Sequence, residues 1–184
     1  MVQSGLQNCV AARPEKRSVP CRWERPQPGW MKLNVDGSFD SSSSTGGIGA
    51  VLRDRLGTVI FSACGFIERC CNPLEAELLA CKEGINLALQ WTLLPIIVES
   101  DCLVAVDMIQ SKKKEWSQLA YLVRDIGEML SEGREVRIRK IQRSQNNIRH
   151  YLANRGRTNA RSEFWPDGSC NLISQAVCKE ALAE

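Results

Sequence analysis

A chain of 184 residues, 43% hydrophobic and 24% charged with a formal charge of +3, has the size and balance of one globular domain. It has no apolar run long enough for a membrane-spanning helix, and Met1 to Arg17 lack the apolar centre of a secretory signal. A monomeric intracellular protein, nuclear or cytoplasmic rather than secreted and with no membrane partner, is the expectation. The nine cysteines are odd in number and scattered, with Cys64, Cys81 and Cys102 among apolar residues, so reduced core-packed thiols are expected rather than a disulfide scaffold.

Residues 1–28 hold Pro14, Pro20, Pro26 and Pro28 with scattered charge, and are expected to form a flexible leader. From Trp30, apolar Met31, Leu33 and Val35 alternate with Lys32, Asn34 and Asp36, the period of a strand that ends at Asp36. A Ser-rich turn over Ser41 to Ser44 precedes a strand over Ile48 to Leu52. A turn with Asp54 and Gly57 then leads to a strand over Thr58 to Phe61, completing an antiparallel meander.

Asn72-Pro73-Leu74-Glu75 fits a helix start, with Asn72 as N-cap, Pro73 at the first position and Glu75 reaching back, and the helix is expected to run to about Trp91. Ile96-Ile97-Val98 followed by Glu99-Ser100-Asp101 reads as a strand buried on both faces. A short helix over Cys102 to Gln110, a helix over Ser117 to Glu132, a strand over Val136 to Ile141 and a helix over Asn146 to Asn154 follow. This order predicts an α/β domain over residues 29–160: a mixed five-stranded sheet, three strands antiparallel and two parallel, with helices on both faces. Residues 161–184 form a tail that could pack as a last helix through Ile173, Val177 and Leu182.

Three acids stand where they can converge: Asp36 after the first strand, Glu77 in the first turns of the long helix, and Asp101 after the buried strand. Each has an alternative. Asp36-Gly37 could be a turn, Asp101 a cap for the next helix, and Glu77 a partner of its helix's positive end. Glu77 shares its face with the small residues Ala80, Cys81, Gly84 and Ala88, which suits close packing on a sheet, whereas Glu75 has a capping role available.

The segments Leu33-Asn34-Val35-Asp36-Gly37-Ser38-Phe39, Gly49-Ala50-Val51-Leu52-Arg53-Asp54, Glu75-Ala76-Glu77-Leu78 and Val98-Glu99-Ser100-Asp101, in this order, resemble the plant-type ribonuclease H-like domain of the type 1 ribonuclease H superfamily. The resemblance covers roughly Trp30 to Ala153. It implies a metal-dependent endonuclease that hydrolyses the RNA strand of RNA/DNA hybrids. Asp36, Glu77 and Asp101 would hold two Mg²⁺ ions, with Mn²⁺ an alternative, and Glu77 would lie near the RNA 2′-hydroxyl. The segment Arg143 to Ala153 resembles the family's last motif, with His150 where well-studied active members place an aspartate and the plant-type branch a histidine, which implies that His150 completes the catalytic and metal-binding set as its fourth member. An imidazole carries one negative charge fewer and is a poorer Mg²⁺ ligand.

Arg134 to Arg161 hold nine Lys/Arg against the single acid Glu135, a segment of +8 that leaves −5 elsewhere. A solvated helix face and a polyanion-binding surface fit this pattern equally. Beside the motifs, Arg139, Lys140, Arg143, Asn146 and Arg149 are candidates for contacts with an RNA/DNA hybrid, and Lys112-Lys113-Lys114 with Trp116 resembles a reduced basic protrusion or, equally, reads as a solvated loop with Trp116 in the core. The alternative function is a nucleic-acid-binding module, derived from a retrotransposon ribonuclease H, with little catalysis left.

Overall fold

The computed structural model describes residues 23–111, 117–131, 133–143 and 147–181. Met31–Asp40 (β1), Thr45–Arg53 (β2) and Val59–Ile67 (β3) form the antiparallel meander, and Pro73–Trp91 (α1) leads to Ile96–Ser100 (β4). Leu103–Gln110 (α2), Ala120–Ser131 (α3), Val136–Lys140 (β5), Asn147–Asn159 (α4), Glu163–Pro166 (β6) and Asn171–Ala181 (α5) follow. The sheet order is β5-β4-β1-β2-β3-β6, with β4 parallel to β1 and β5 parallel to β4. Among the described residues no helix is long and apolar enough to cross a membrane.

The expected mixed sheet is therefore present, but it has six strands rather than five. The sixth comes from the segment read as a tail: β6 pairs antiparallel with Phe61–Cys64, and Phe164 packs against Phe61 and Trp91 with ring centroids 5.4 and 5.0 Å away. A four-residue edge strand ending in proline carries too little alternation to register as a strand. Ile173 of α5 is buried with Cys170, Val177 packs against the same cluster, and Leu182 lies outside the described residues. At the other end, packing begins upstream of Gly29. Pro26 is buried and the Trp23 ring lies over Lys32 and Arg53, while residues 1–22 are outside the described part.

Strand alternation sorts the two faces. Leu33 and Val35, Ala50 and Leu52, and Ile96 and Val98 point to one side and pack with α1, α2 and α3 around Leu78, Ile85, Val106, Leu122 and Ile126. Val51 and Cys64 point to the other and meet Ile148 and Leu152 of α4 with Ile173 of α5. Each fully buried Leu or Ile contributes roughly 1.5–3 kcal/mol. Among the described residues Cys64, Cys70, Cys71, Cys81, Cys102 and Cys170 are free thiols.

The strands outrun their expected limits. β1 continues through Gly37 to Asp40, so Asp36 lies inside the strand and not at its end. Gly37 is no turn: a β-carbon there would collide with the Ala76 backbone, and its absence lets the start of α1 cross β1. Helix α4 likewise lies directly on β2, where a side chain at Gly49 would strike the Arg149 carbonyl. That helix extends to Asn159, past its expected end at Asn154, with Gly156 where the helix passes over Gly65.

Candidate active site

Three elements deliver the acids. In the parallel β1/β4 pair Leu33 lies opposite Val98 and Asn34 opposite Glu99, so continuing both strands brings Asp36 and Asp101 level. Asn72 Oδ1 accepts from the Glu75 amide at 2.9 Å, fixing the start of α1, while Glu75 Oε2 accepts from the Cys71 amide one residue before the cap. Two residues into the helix from Glu75, Glu77 Oε2 accepts from the Gly37 amide at 3.3 Å. Asp101 does not cap α2; Cys102 occupies that position without a side-chain bond. One carboxylate oxygen each from Asp36, Glu77 and Asp101 lie within 4.8 Å of one another.

Crowding acids in a partly dry site favours protonation. Burial, and then the Asp36 and Asp101 charges, push the Glu77 carboxyl up to about 8. Burial and Asp101 push Asp36 up to about 6, although the His150 hydrogen bond and the Arg149 charge pull the other way. The cluster is thus under-neutralised by the protein, and its donors are the hard oxygens that Mg²⁺, Ca²⁺ or Mn²⁺ take. A divalent cation would offset the repulsion that the side chains leave.

His150 Nδ1 stands 3.0 Å from Asp36 Oδ2 and donates to it when the proton is on Nδ1. Arg143 is 84% exposed, with Nε 4.0 Å from Asp101 Oδ2, and so faces solvent at the mouth of the cluster. Lys140 is exposed at the end of β5. Arg139, on the face of the sheet that carries Glu99, is engaged, with Nη2 2.6 Å from Glu99 Oε1. Arg149 departs from its expected place on a nucleic-acid surface. It is fully buried, because the close seating of α4 on Gly49 turns it inward, where its charge acts on Asp36. Asn146, Lys112 to Lys114 and Trp116 lie outside the described residues.

The sequence reading missed a second charged grouping on this face. Lys32, Asn34 and Glu99 are buried; Lys32 Nζ lies 3.0 Å from Glu99 Oε1, and Asn34 Nδ2 donates to Glu99 Oε2. Burial alone would raise Glu99, but Lys32 and Arg139 outweigh it and hold the carboxyl below its ordinary value. The alternation of β1 made Lys32 and Asn34 look solvent-facing. The available signal was Glu99 itself, since a carboxylate in a strand buried on both faces requires cations beside it.

Residues 34–156 match the family model described as reverse transcriptase-like. An Arabidopsis thaliana protein whose name marks it provisionally as a ribonuclease H protein is 30% identical over 132 residues, which is 72% of this chain but 21% of that protein, so the chain spans about a fifth of this relative's length. The N-terminal RNase H domain of a Mycobacterium tuberculosis protein superposes with a TM-score of 0.65 at 22% identity, covering 71% of this chain and 95% of that one. RNase H1 of Halobacterium salinarum gives 0.64 at 18% identity, covering 72% of this chain and all (100%) of that one. LC11-RNase H1, from a compost metagenome and solved in complex with an RNA/DNA hybrid, gives 0.64 at 20% identity, covering 71% and 98%. With the matched region taking in Asp36, Glu77 and Asp101, the chain belongs to the reverse transcriptase-like family and has the ribonuclease H-like fold.

Proposed function

We propose that this domain is an endonuclease that hydrolyses the RNA strand of RNA/DNA hybrids, using two Mg²⁺ ions held by Asp36, Glu77 and Asp101, with His150 at the margin of the site. The observation that carries the reading is the convergence of three carboxylates from three separate elements within 4.8 Å, two of them raised well above their ordinary values. A fold has no use for that repulsion, whereas a cation site needs it. When bound, two hard cations supply an activated water and charge stabilisation at the leaving oxygen.

The chain's own groups have separable tasks. Asp36 and Asp101, level on adjacent strands, hold the site's floor, and Glu77 closes it from α1 with one oxygen kept on the Gly37 amide. Exposed Arg143 and Lys140 meet backbone phosphates beside the cluster. LC11-RNase H1, a protein of the same fold, was solved with an RNA/DNA hybrid, which supports hybrid as the substrate class. Monomeric state and intracellular location belong to the same proposal, in keeping with the free thiols.

His150 favours a second reading, a hybrid-binding module with weak catalysis, because its imidazole adds no negative charge and its Nδ1 already engages Asp36. Cleavage of a labelled RNA/DNA hybrid in Mg²⁺ and separately in Mn²⁺, with duplex RNA and duplex DNA as controls, tests both. Cutting confined to the hybrid's RNA strand and abolished by Asp36→Asn is the expected outcome. Tight hybrid binding without cutting in either metal would select the binding module.

A further inference from the structure

The second charged grouping lies in one row across three strands. Asn34 on β1 is opposite Glu99 on β4, and Glu99 is opposite Arg139 on β5. Glu99 Oε1 accepts from Arg139 Nε at 2.9 Å and pairs with Lys32 at 3.0 Å, while Oε2 accepts from Asn34. Asn34 and Glu99 each precede an acid of the cluster, Asp36 and Asp101, by two residues on the same strand. One pleat repeat, about 7 Å, separates the row from the acids.

On this face α4 packs against β1, β2 and β3, whereas among the described residues the cover over the row comes from Trp23, whose indole donates to Asn34 Oδ1 at 3.3 Å and whose ring lies over Lys32. The backbone ladders choose which residues stand opposite, and hydrogen bonds to both oxygens of one buried carboxylate add a side-chain restraint on that offset in direction and distance. A buried ionic row is a costly way to hold strands together if stability is its only result.

We propose that Glu99 is a positioning residue: through Asn34, Lys32 and Arg139 it locks β1, β4 and β5 at the offset that sets Asp36 and Asp101 at one height, and so sets the spacing of the cation site. This rests on the function proposed above. Glu99 touches neither cation nor substrate, and its effect reaches the reaction through the two aspartates.

The decisive variant is Lys32→Met/Glu99→Met, which removes both buried charges together and leaves Arg139, 45% exposed, to solvent and Glu24. Replacing a buried pair by apolar residues commonly leaves stability intact. The variant is expected to keep its thermal midpoint while its Mn²⁺ affinity, by titration calorimetry, and its kcat on hybrid fall about 10- to 100-fold, as for residues that orient metal ligands. KM for hybrid is expected to stay within about twofold, since the phosphate contacts are elsewhere. Metal affinity and kcat both within about twofold of wild type would overturn the proposal. Should the double variant not fold, Glu99→Asp, which keeps the charge but withdraws it by one methylene, is read by the same criteria. If the wild type itself neither binds Mn²⁺ nor cuts hybrid, the functional reading falls. The positioning role is then decided by crystal structures of wild type and variant: a carboxylate cluster widened beyond 4.8 Å supports it, and an unchanged cluster overturns it.

Discussion

Strands β1 and β4 carry two groupings of carboxylates one pleat apart, and they are electrostatic opposites. At the lower row one carboxylate, Glu99, is surrounded by Lys32 and Arg139 and held below its ordinary value. At the upper row three carboxylates crowd together, with Asp36 raised to about 6 and Glu77 to about 8. Asp36 and Glu99 are buried to the same degree, yet the surroundings yield a saturated ion network in one place and a site short of positive charge in the other. The difference is the number of cations the sequence places nearby. Burial alone therefore does not mark a functional carboxylate; burial without sufficient compensation does.

The largest effect should come from breaking the saturated row on one side only. Glu99→Leu strands the buried Lys32 ammonium without its carboxylate, and urea unfolding at neutral pH should show a loss of roughly 3–5 kcal/mol. A loss below about 1 kcal/mol would mean that Lys32 finds another partner and that the row is less closed than its geometry implies.

A smaller loss is expected from Gly49→Ala. The added methyl meets the Arg149 carbonyl and, at 2.8 Å, the Ala153 nitrogen, so α4 must lift from β2 at a cost of about 1–3 kcal/mol. Lifting α4 also withdraws Arg149 and His150 from Asp36, the two groups that now lower it. The Asp36 carboxyl should then titrate higher than in the wild type, which carboxyl-detected NMR would report. An unchanged titration would show that α4 does little for the charge of the upper row.

What could be read in the sequence follows the same division. The strand of Met31, Leu33 and Val35, the Asn72-Pro73 helix start and the convergence of Asp36, Glu77 and Asp101 were legible because each rests on local periodicity, a cap or a motif. The buried Lys32, Asn34 and Arg149 were not. Their burial depends on what covers the second face of the sheet, α4 for one and Trp23 for the others, and a strand's alternation says nothing about that cover. The edge strand β6 escaped for a related reason: its four residues are fixed by pairing with Phe61 to Cys64 rather than by their own pattern.

The upper row predicts a pH dependence of definite sign. A carboxyl whose folded-state value is raised binds more protons folded than unfolded, so its contribution favours folding below the unfolded value and is lost as pH rises through the folded one. For Glu77 that window runs from 4.5 to about 8, and for Asp36 from 3.8 to about 6. The metal-free protein should lose thermal stability across this range, and Mg²⁺ should restore it increasingly towards pH 8, because cation and proton compete for the same oxygens. Glu77→Gln should raise metal-free stability at pH 8 by on the order of 1 kcal/mol while abolishing the Mg²⁺ effect. Scanning calorimetry over pH with and without Mg²⁺ checks both, and a metal-free midpoint that rises between pH 5 and 8 would contradict the charge deficit.

The finest contrast concerns His150. Its imidazole, 3.0 Å from Asp36, is the group that keeps the upper row from holding a fourth carboxylate. His150→Asp adds that charge and should move the two rows further apart: the metal-free variant becomes less stable than wild type at pH 8, and its Mg²⁺ affinity rises by about 3- to 10-fold, since hard-cation affinity follows the number of charged ligands. Because imidazole suits Mn²⁺ better than Mg²⁺, the ratio of Mn²⁺ to Mg²⁺ affinity should fall in the same variant. Calorimetric titration of both ions into both proteins separates two roles for the histidine. A changed ratio places His150 within reach of the cation, whereas equal ratios with altered stability confine it to the hydrogen bond on Asp36, where it acts on the charge of the site and not on its ligand set.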